Sequence, residues 1–531
     1  MLNSSIEFEI KLLFPLNRLA AIEKYIISRG GVRRQHLQAA YIDTSDFSLA
    51  QAGIAFRLRK EGRQWVQTLK VSSANPLERL EHNIVLDFSG SAIPAWSLEL
   101  HRNHESGKRL YKQFPKLRSE DLLICYQTDI WRRKALVNTR QGTLEYSLDM
   151  GFIYVNQSDV VARKKVRELE IELKNGNPLD VLRHAQTMIN LHKAYIDTRS
   201  KSECGVLLAR GIQASPPVRA KSVSPGKVES ENAIMSCLLH SCLAQVLSNQ
   251  NAINDGLDSY PEHLHQLRVG LRRIKVLLKY LARHKIFISN EGAEAFKRVF
   301  DKLGLYRDNE SVKRVLNPGL ISMGGPEIKL ISIKELPNPC LITRDKEFQL
   351  LLLELISMGL SRVRSLADSA ESDCPKKEIV DIKKTVAKLL DRRFYFVSDR
   401  ASHFETLGDE EIHSLRKKMK FIRYSLEFFK DFCTKNKYSK FFKAISVALE
   451  YFGLFNDICI SIRHIEGLAQ DGPNLSLTLI WLRAERVRAR FLCEKSVRKL
   501  VQTDIAWGDS FFANVPNGSI ADIEKYCSSL R

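Results

Sequence analysis

The hydrophobic period of this chain changes near residue 210, and that change limits its architecture more than any other feature. Before it, apolar and polar residues alternate in short runs: IEFEIKL (6–12), IAFRLRK (54–60), WVQTLKV (65–71), RLEHNIVL (79–86), LEYSLDM (144–150) and RELEIEL (167–173). A period of two marks strands with one buried face. Two helical stretches interrupt it, near 16–29 and 178–191. Beyond 230 apolar residues recur at steps of three and four opposite a basic face, as in 264–285 and 412–432, which is the pattern of packed amphipathic helices. Between the two regimes, 211–230 gathers Pro216, Pro217, Pro225, Gly226 and several serines and reads as an exposed linker. The expectation is an α+β multidomain protein, with strands over 1–210, a linker over 211–230, helices over 231–510 and a tail over 511–531.

Charge narrows the partners. The 82 Lys and Arg against 61 Asp and Glu leave +21, which calls for a polyanion. An aromatic content of 8% and the lack of a recognisable nucleic-acid motif argue against nucleic acid. No apolar run approaches the roughly 18 residues of a membrane span, so no membrane partner is expected. The N-terminus lacks the basic region and apolar run of a signal peptide. Ten cysteines stand singly, without a CxxC pair, which fits free thiols in a reducing cytosol better than a secreted fold.

The strands carry unusual polar faces. Side chains of one parity share a face, so Glu7, Glu9 and Lys11 form one row, and Arg57 with Arg59, Thr68 with Lys70, Arg79 with Glu81, Glu145 with Asp149, and Glu168, Glu170 and Glu172 form others. A single solvated edge strand could look like this. A whole series suits a closed antiparallel barrel with apolar residues outside and both signs of charge inside. Carboxylates supply the hard oxygen ligands that Mg²⁺ or Mn²⁺ prefers, and Arg and Lys supply donors for phosphate oxygens. A mixed interior therefore suits a metal-bridged polyphosphate.

EFEIK at 7–11 resembles the ExExK signature of CYTH domains, the triphosphate tunnel metalloenzymes. YIDT (41–44), GIAFRLR (53–59), TLK (68–70), RLE (79–81), LDMG (148–151), EIELKNG (170–176) and RSKSECG (199–205) follow in the family's order. The resemblance implies an eight-stranded tunnel with a two-metal site. It implies Glu7, Glu9, Asp149, Glu170 and Glu172 as metal ligands, and Lys11, Arg57, Arg59, Lys70, Arg79, Arg132 and Lys201 as substrate-binding bases. Of these, Glu7, Glu9, Lys11, Arg57 and Arg59 are expected to carry catalysis. Arg133 stands beside Arg132 as an alternative, Glu81 and Glu145 are candidate ion-pair partners, and Glu168 has the metal pair's parity but no role. The family hydrolyses triphosphate compounds or cyclises ATP.

The helical half contains a duplication. His265, Arg268, Arg272 and Lys275 fall at offsets 0, 3, 7 and 10, and His413, Arg416, Lys420 and Arg423 repeat them. LGLYRD (303–308) is answered by FGLFND (452–457) at nearly the same distance. Two related helical bundles are expected, over about 231–380 and 381–510. Each His/Arg/Lys series makes one basic stripe on a helix. Two facing stripes would form a groove for a linear polyanion, with histidines adding charge as pH falls. HQLRVGLRRIK (265–275) and HSLRKKMKFIRYSLEFF (413–429) resemble CHAD domains, which form two related four-helix bundles and bind inorganic polyphosphate. That resemblance implies His265, Arg268, Arg272, Arg273, Lys275, His413, Arg416, Lys420 and Arg423 as the polyphosphate site.

The leading expectation is a divalent-metal-dependent hydrolase of inorganic triphosphate with an appended polyphosphate-binding module. It would be cytoplasmic, with association with polyphosphate granules as a further expectation. A class IV type adenylate cyclase or a thiamine triphosphatase would use the same tunnel. A non-catalytic polyphosphate-binding or granule-associated protein is the alternative of another class.

Overall fold

The computed structural model describes residues 6–30, 32–72, 78–88, 90–157, 160–221, 231–256, 261–282, 286–322, 336–368, 375–468 and 473–507. The expected tail over 511–531 lies outside them. The alternating half forms strands β1 (Ile6–Leu13), β2 (Arg33–Asp43), β3 (Ile54–Glu61), β4 (Gln64–Ser72), β5 (Glu78–Leu86), β6 (Leu123–Thr139), β7 (Gly142–Gln157), β8 (Val160–Gly176) and β9 (Tyr195–Ile196). Their order is β5-β4-β3-β2-β6-β7-β8-β1-β9, and β1 also pairs with β5. That extra pairing closes eight antiparallel strands into a barrel, leaving no open edge. The two-residue β9 adds to β1 from outside the ring.

The alternation decides which way each residue faces. Phe8, Ile10 and Leu12, Phe56 and Leu58, Leu144, Tyr146 and Leu148, and Leu169 and Ile171 are buried on the barrel's outer wall. Around them lie α1 (Leu19–Arg29), α2 (Ser48–Gln51), α3 (Glu105–Gln113), α4 (Pro178–His192) and α5 (Lys201–Ala209). Gly53 makes the turn into β3 at φ +73°, a conformation that disfavours any side chain. A Cβ at Gly205 would lie 2.1 Å from the Tyr126 ring, so glycine lets α5 sit directly against β6.

The helical half comprises α6 (Glu231–Asn254), α7 (Pro261–Leu281), α8 (Asn290–Ser322), α9 (Pro339–Thr343), α10 (Lys346–Asp368), α11 (Pro375–Ser402), α12 (Asp409–Phe428), α13 (Lys435–Leu468) and α14 (Pro473–Val501). Helices α6, α7, α8 and α10 pack on one another, as do α11 to α14, and α8 meets α13 between the groups. One stretch departs from expectation. Lys435–Glu466 within α13 is long and apolar enough to cross a membrane, with a mean hydropathy of 1.4, yet half of that window is buried inside the protein. Its apolar residues Phe441, Ile445, Phe452 and Ile458 fill the helical core.

The described part of the expected linker, 211–221, makes contacts with the helical half. Val218 exchanges hydrogen bonds with the Asn249 side chain on α6, and the Ser215 carbonyl bonds His263 Nε2. Residues 222–230 lie outside the described residues. One hydrophobic core also runs without a break from the outer wall of β1, β7 and β8 through α4 into the bundles.

Candidate functional site

Strand register builds the tunnel in levels. Arg132 on β6 stands opposite Asp149 on β7, which stands opposite Glu168 on β8. Two residues along, Ser147, Glu170 and Lys11 align across β7, β8 and β1. Two further on, Glu145, Glu172 and Glu9 align. The facing arc, formed by β2 to β5, contributes Tyr41, Arg57, Arg59, Lys70 and Arg79. All of these groups except Ser147 and Glu168 line a cavity of about 360 Å³. Most carboxylates therefore lie on the β6–β8 and β1 side, together with Lys11, Arg132, Lys134, Lys174 and Lys201, while Arg57, Arg59, Lys70 and Arg79 line the facing arc.

The first level is tightly paired. Arg132 forms a fork onto Asp149 at 2.6 and 2.5 Å and reaches Glu170 at 2.6 Å. Lys201 Nζ lies 2.7 Å from Asp149 and 2.8 Å from Glu170, and also bonds Glu168. Burial alone would raise these acids, but Lys201 and Arg132 overcome it and hold Glu170 well below the ordinary carboxylate range. Asp149 is lowered for the same reason. Glu168 is pushed up by burial and by its two acidic neighbours, against the pull of Lys11 and Lys201. Arg133 points the other way and pairs with Glu23 on α1. Strand parity thus selects Arg132.

The Glu172 level is less fully compensated. Glu172 is raised by burial and by Glu145 and Glu9, although Lys174 stands 2.7 Å away. Glu9 has Arg79 at 3.8 Å. Glu145 is held low by Lys134 at 2.9 Å and by Lys174, against burial. The Glu7 backbone pairs with Arg79, while its side chain lies outside the described residues.

The cationic arc shows the opposite imbalance. Burial and the neighbouring Arg57 both disfavour the Arg59 charge, and Glu61 at 2.6 Å offsets this only in part. Arg57 donates to Tyr41 Oη at 3.4 Å and stands 3.9 Å from Glu81. Its Nε is buried with no hydrogen-bond partner among the described residues. Arg57 and nearby Lys201 and Lys70 lower the Tyr41 hydroxyl despite its burial. Lys70 pairs with Glu81 at 2.7 Å, which gives Glu81 the ion-pair role expected of it. A buried guanidinium with an unused donor beside a destabilised one fits an oxyanion.

The acidic arc fits a hard cation on the same grounds. Asp149, Glu168 and Glu170 each offer an oxygen within 4.8 Å of the others. Glu9 and Glu172 face each other in register, and the raised affinity of Glu172 for a proton marks a place where another cation is welcome. Sequence reasoning gives Glu168 and Tyr41 no role. The parity of 168, 170 and 172 is the available signal for Glu168, and the alternation of YIDT is the signal for Tyr41.

A second basic site lies in the helical half. A groove of about 1150 Å³ between α7 and α12 is bordered by His265, Arg268, Arg272, Arg273 and Lys275 on one side and His413, Arg416, Lys420 and Arg423 on the other. The duplicated stripes therefore meet. Arg268, Arg272 and Lys275 surround the Phe300 ring at 5.0, 5.6 and 6.0 Å, which spaces the charges with an aromatic face. Arg273 differs from its neighbours. It is 2% exposed, donates to Gln245 Oε1 at 2.8 Å and stacks over Phe428, so it serves the core. His413 bonds Asn456 at 2.9 Å rather than Asp457. Burial and the adjacent Lys417 and Arg416 lower its pKa, so it adds charge later, as pH falls, than an ordinary histidine.

Comparison with known proteins agrees with this division. Residues 5–202 match the CYTH domain family and residues 237–466 the CHAD domain family. An inorganic triphosphatase of Haemophilus influenzae is 26% identical over 207 residues, which is 38% of this chain and 54% of that protein. The chain thus spans about half the length of that relative. The CHAD domain of the plant Ricinus communis aligns with 20% identity over 55% of this chain and 99% of that one, with a TM-score of 0.45. A Hippeastrum protein, described as an adenylyl cyclase candidate with a dominant triphosphatase activity, aligns with 15% identity over 39% of this chain and 96% of its own, with a TM-score of 0.28.

Proposed function

For a chain that carries a CYTH domain followed by a CHAD domain, we propose metal-dependent hydrolysis of inorganic triphosphate in the tunnel and polyphosphate binding in the helical groove. The observation that carries this reading is the tunnel's incomplete pairing: Arg59 lacks sufficient anions and Arg57 keeps a buried, unused Nε donor on one side, while Glu172 lacks sufficient cations on the other. A triphosphate bridged by divalent cations would satisfy both sides at once.

Arg57, Arg59, Lys70 and Arg79 would grip phosphoryl oxygens and stabilise the charge that grows on the leaving phosphate. Glu7, Glu9, Asp149, Glu170 and Glu172 would hold Mg²⁺ or Mn²⁺, with Glu168 as an added donor. A bound divalent ion supplies charge neutralisation and lowers the pKa of water. Arg132 and Lys201 hold Asp149 and Glu170 ionised, with Lys11 adding to the pull on Glu170. Burial works against the Lys11 charge, but Glu168 and Glu170 outweigh it and keep the ammonium. The groove stripes would bind a longer chain of phosphates without chemistry. A cytoplasmic setting belongs to the same proposal, in keeping with the eight described cysteines, all free thiols.

The test is phosphate release from inorganic triphosphate, ATP and thiamine triphosphate, each with Mg²⁺ and with Mn²⁺. Rapid release from inorganic triphosphate supports the reading. Turnover of ATP or thiamine triphosphate alone replaces it with a cyclase or a thiamine triphosphatase.

A further inference from the structure

The segment Tyr195–Lys201 joins β9 to α5 and brings three groups to the tunnel. The Arg199 carbonyl accepts from Lys11 Nζ at 2.5 Å. The Thr198 carbonyl accepts from Arg79 at 3.4 Å. Lys201, the first residue of α5, enters the carboxylate cluster. Local sequence explains the end of this strap. Ser200 caps α5, accepting from the Glu203 amide at 3.1 Å while Glu203 accepts from the Ser200 amide at 2.7 Å.

Beyond the pairing of β9 with β1 and the bond from the Asp197 amide to the Lys11 carbonyl, the strap is held from the other half of the molecule. Gln349 on α10 accepts from the Ile196 amide at 2.8 Å, and Gln250 on α6 donates to the Ile196 carbonyl at 3.0 Å. Asn251 donates to Thr198 Oγ1 at 2.8 Å. The Arg199 guanidinium is buried between two carboxylates. Asp197 bonds it at 2.5 Å, and Asp255, the residue after the end of α6, accepts from Nη2 at 2.9 Å and from Nη1. Burial would raise Asp197, but Arg199 overrides it and holds this acid ionised. A buried guanidinium that loses one of two carboxylates is costly to keep in place.

We propose that Asp255 is a positioning residue for the tunnel: it holds Arg199, and through that residue the carbonyl that orients Lys11 and the start of the helix that presents Lys201. The proposal rests on the triphosphatase reading for its catalytic consequence. Its structural content is separate. The helical half, beyond any binding of its own, holds the strap that presents Lys201 to the tunnel.

The experiment uses the full chain with Asp255→Asn and Asp255→Glu, measuring kcat and KM on inorganic triphosphate, thermal midpoint, and amide hydrogen exchange over 195–204. For Asp255→Asn the expected results are a kcat lower by roughly 10- to 100-fold, as small misplacements of catalytic groups produce, a smaller change in KM, faster exchange in the strap and a barrel that stays folded. Asp255→Glu keeps the charge and should restore most of kcat. Unchanged kcat and unchanged strap exchange in Asp255→Asn overturn the proposal. Should that variant fail to fold, Asn251→Ala carries the test, with unchanged strap exchange overturning it. If the unaltered chain releases no phosphate, the triphosphatase reading fails, and strap exchange still decides whether Asp255 holds Arg199.

Discussion

The tunnel and the groove both present arginines and lysines to a polyanion, yet they manage that charge in different ways. In the tunnel the cations are buried and share the space with carboxylates, so nearly every charge has an opposite neighbour, as a dry interior demands. In the groove the cations are separated by aromatic faces. Phe300 sits among Arg268, Arg272 and Lys275, and Phe421 lies under Lys279 at 5.4 Å and Arg393 at 3.7 Å. The difference teaches what each site needs from its ligand. An anion entering the tunnel meets carboxylates and must bring cations with it. An anion entering the groove meets fewer acids, with Glu427 beside Arg423 among them, and replaces mostly water and counterions.

The sharpest way to break this contrast is to remove one side of the tunnel's charge. Arg57→Ala should lower kcat for inorganic triphosphate by roughly 100- to 1000-fold, the usual cost of losing one donor to developing charge, while long-chain polyphosphate binding stays as it was. Glu9→Gln keeps the shape and removes one proposed ligand. It should cost at least roughly 100-fold in turnover or in the concentration of Mg²⁺ required, beyond the effect of losing an outer partner. Turnover near that of the unaltered chain would show that Glu9 is no ligand.

On the groove side, Arg416→Gln with Lys420→Gln should weaken polyphosphate binding and leave triphosphate turnover unchanged. By counterion release the slope of log affinity against log salt should flatten by roughly 0.7 for each lost contact. Titration with duplex DNA at the same salt is the control, and a clear preference for DNA would contradict the polyphosphate assignment. The smallest effect concerns pH. His413 has its pKa lowered by burial and by Lys417 and Arg416, so it gains charge at a lower pH than an ordinary histidine. Groove affinity should therefore change by less than about twofold between pH 8 and 6.5. A steep rise in that window would place His413 among the unperturbed histidines.

Much of this organisation is legible in the amino-acid pattern. Strand parity puts Glu9, Lys11, Arg57 and Glu170 on inward faces because a closed barrel makes alternation an inside-outside code. Offsets of 3, 7 and 10 put the two basic stripes on single helix faces. Other features cannot be read from the chain in this way. Glu168 carries the right parity, but only the register of β7 against β8 sets it opposite Asp149. Arg273 lies in the same run as Arg272, and helix rotation alone turns it into the core. Asp255 pairs with Arg199 across 56 residues, in a segment the periodicity assigns to a different unit. Contacts between separate units leave no local pattern to read.

The most direct test of the contrast uses a single preparation of the full chain. Phosphate release from inorganic triphosphate and binding of long-chain polyphosphate are measured first with Mg²⁺ and then with excess chelator. The account predicts that chelation abolishes release and leaves polyphosphate binding in place. Loss of both together, or release that persists under chelation, would contradict it.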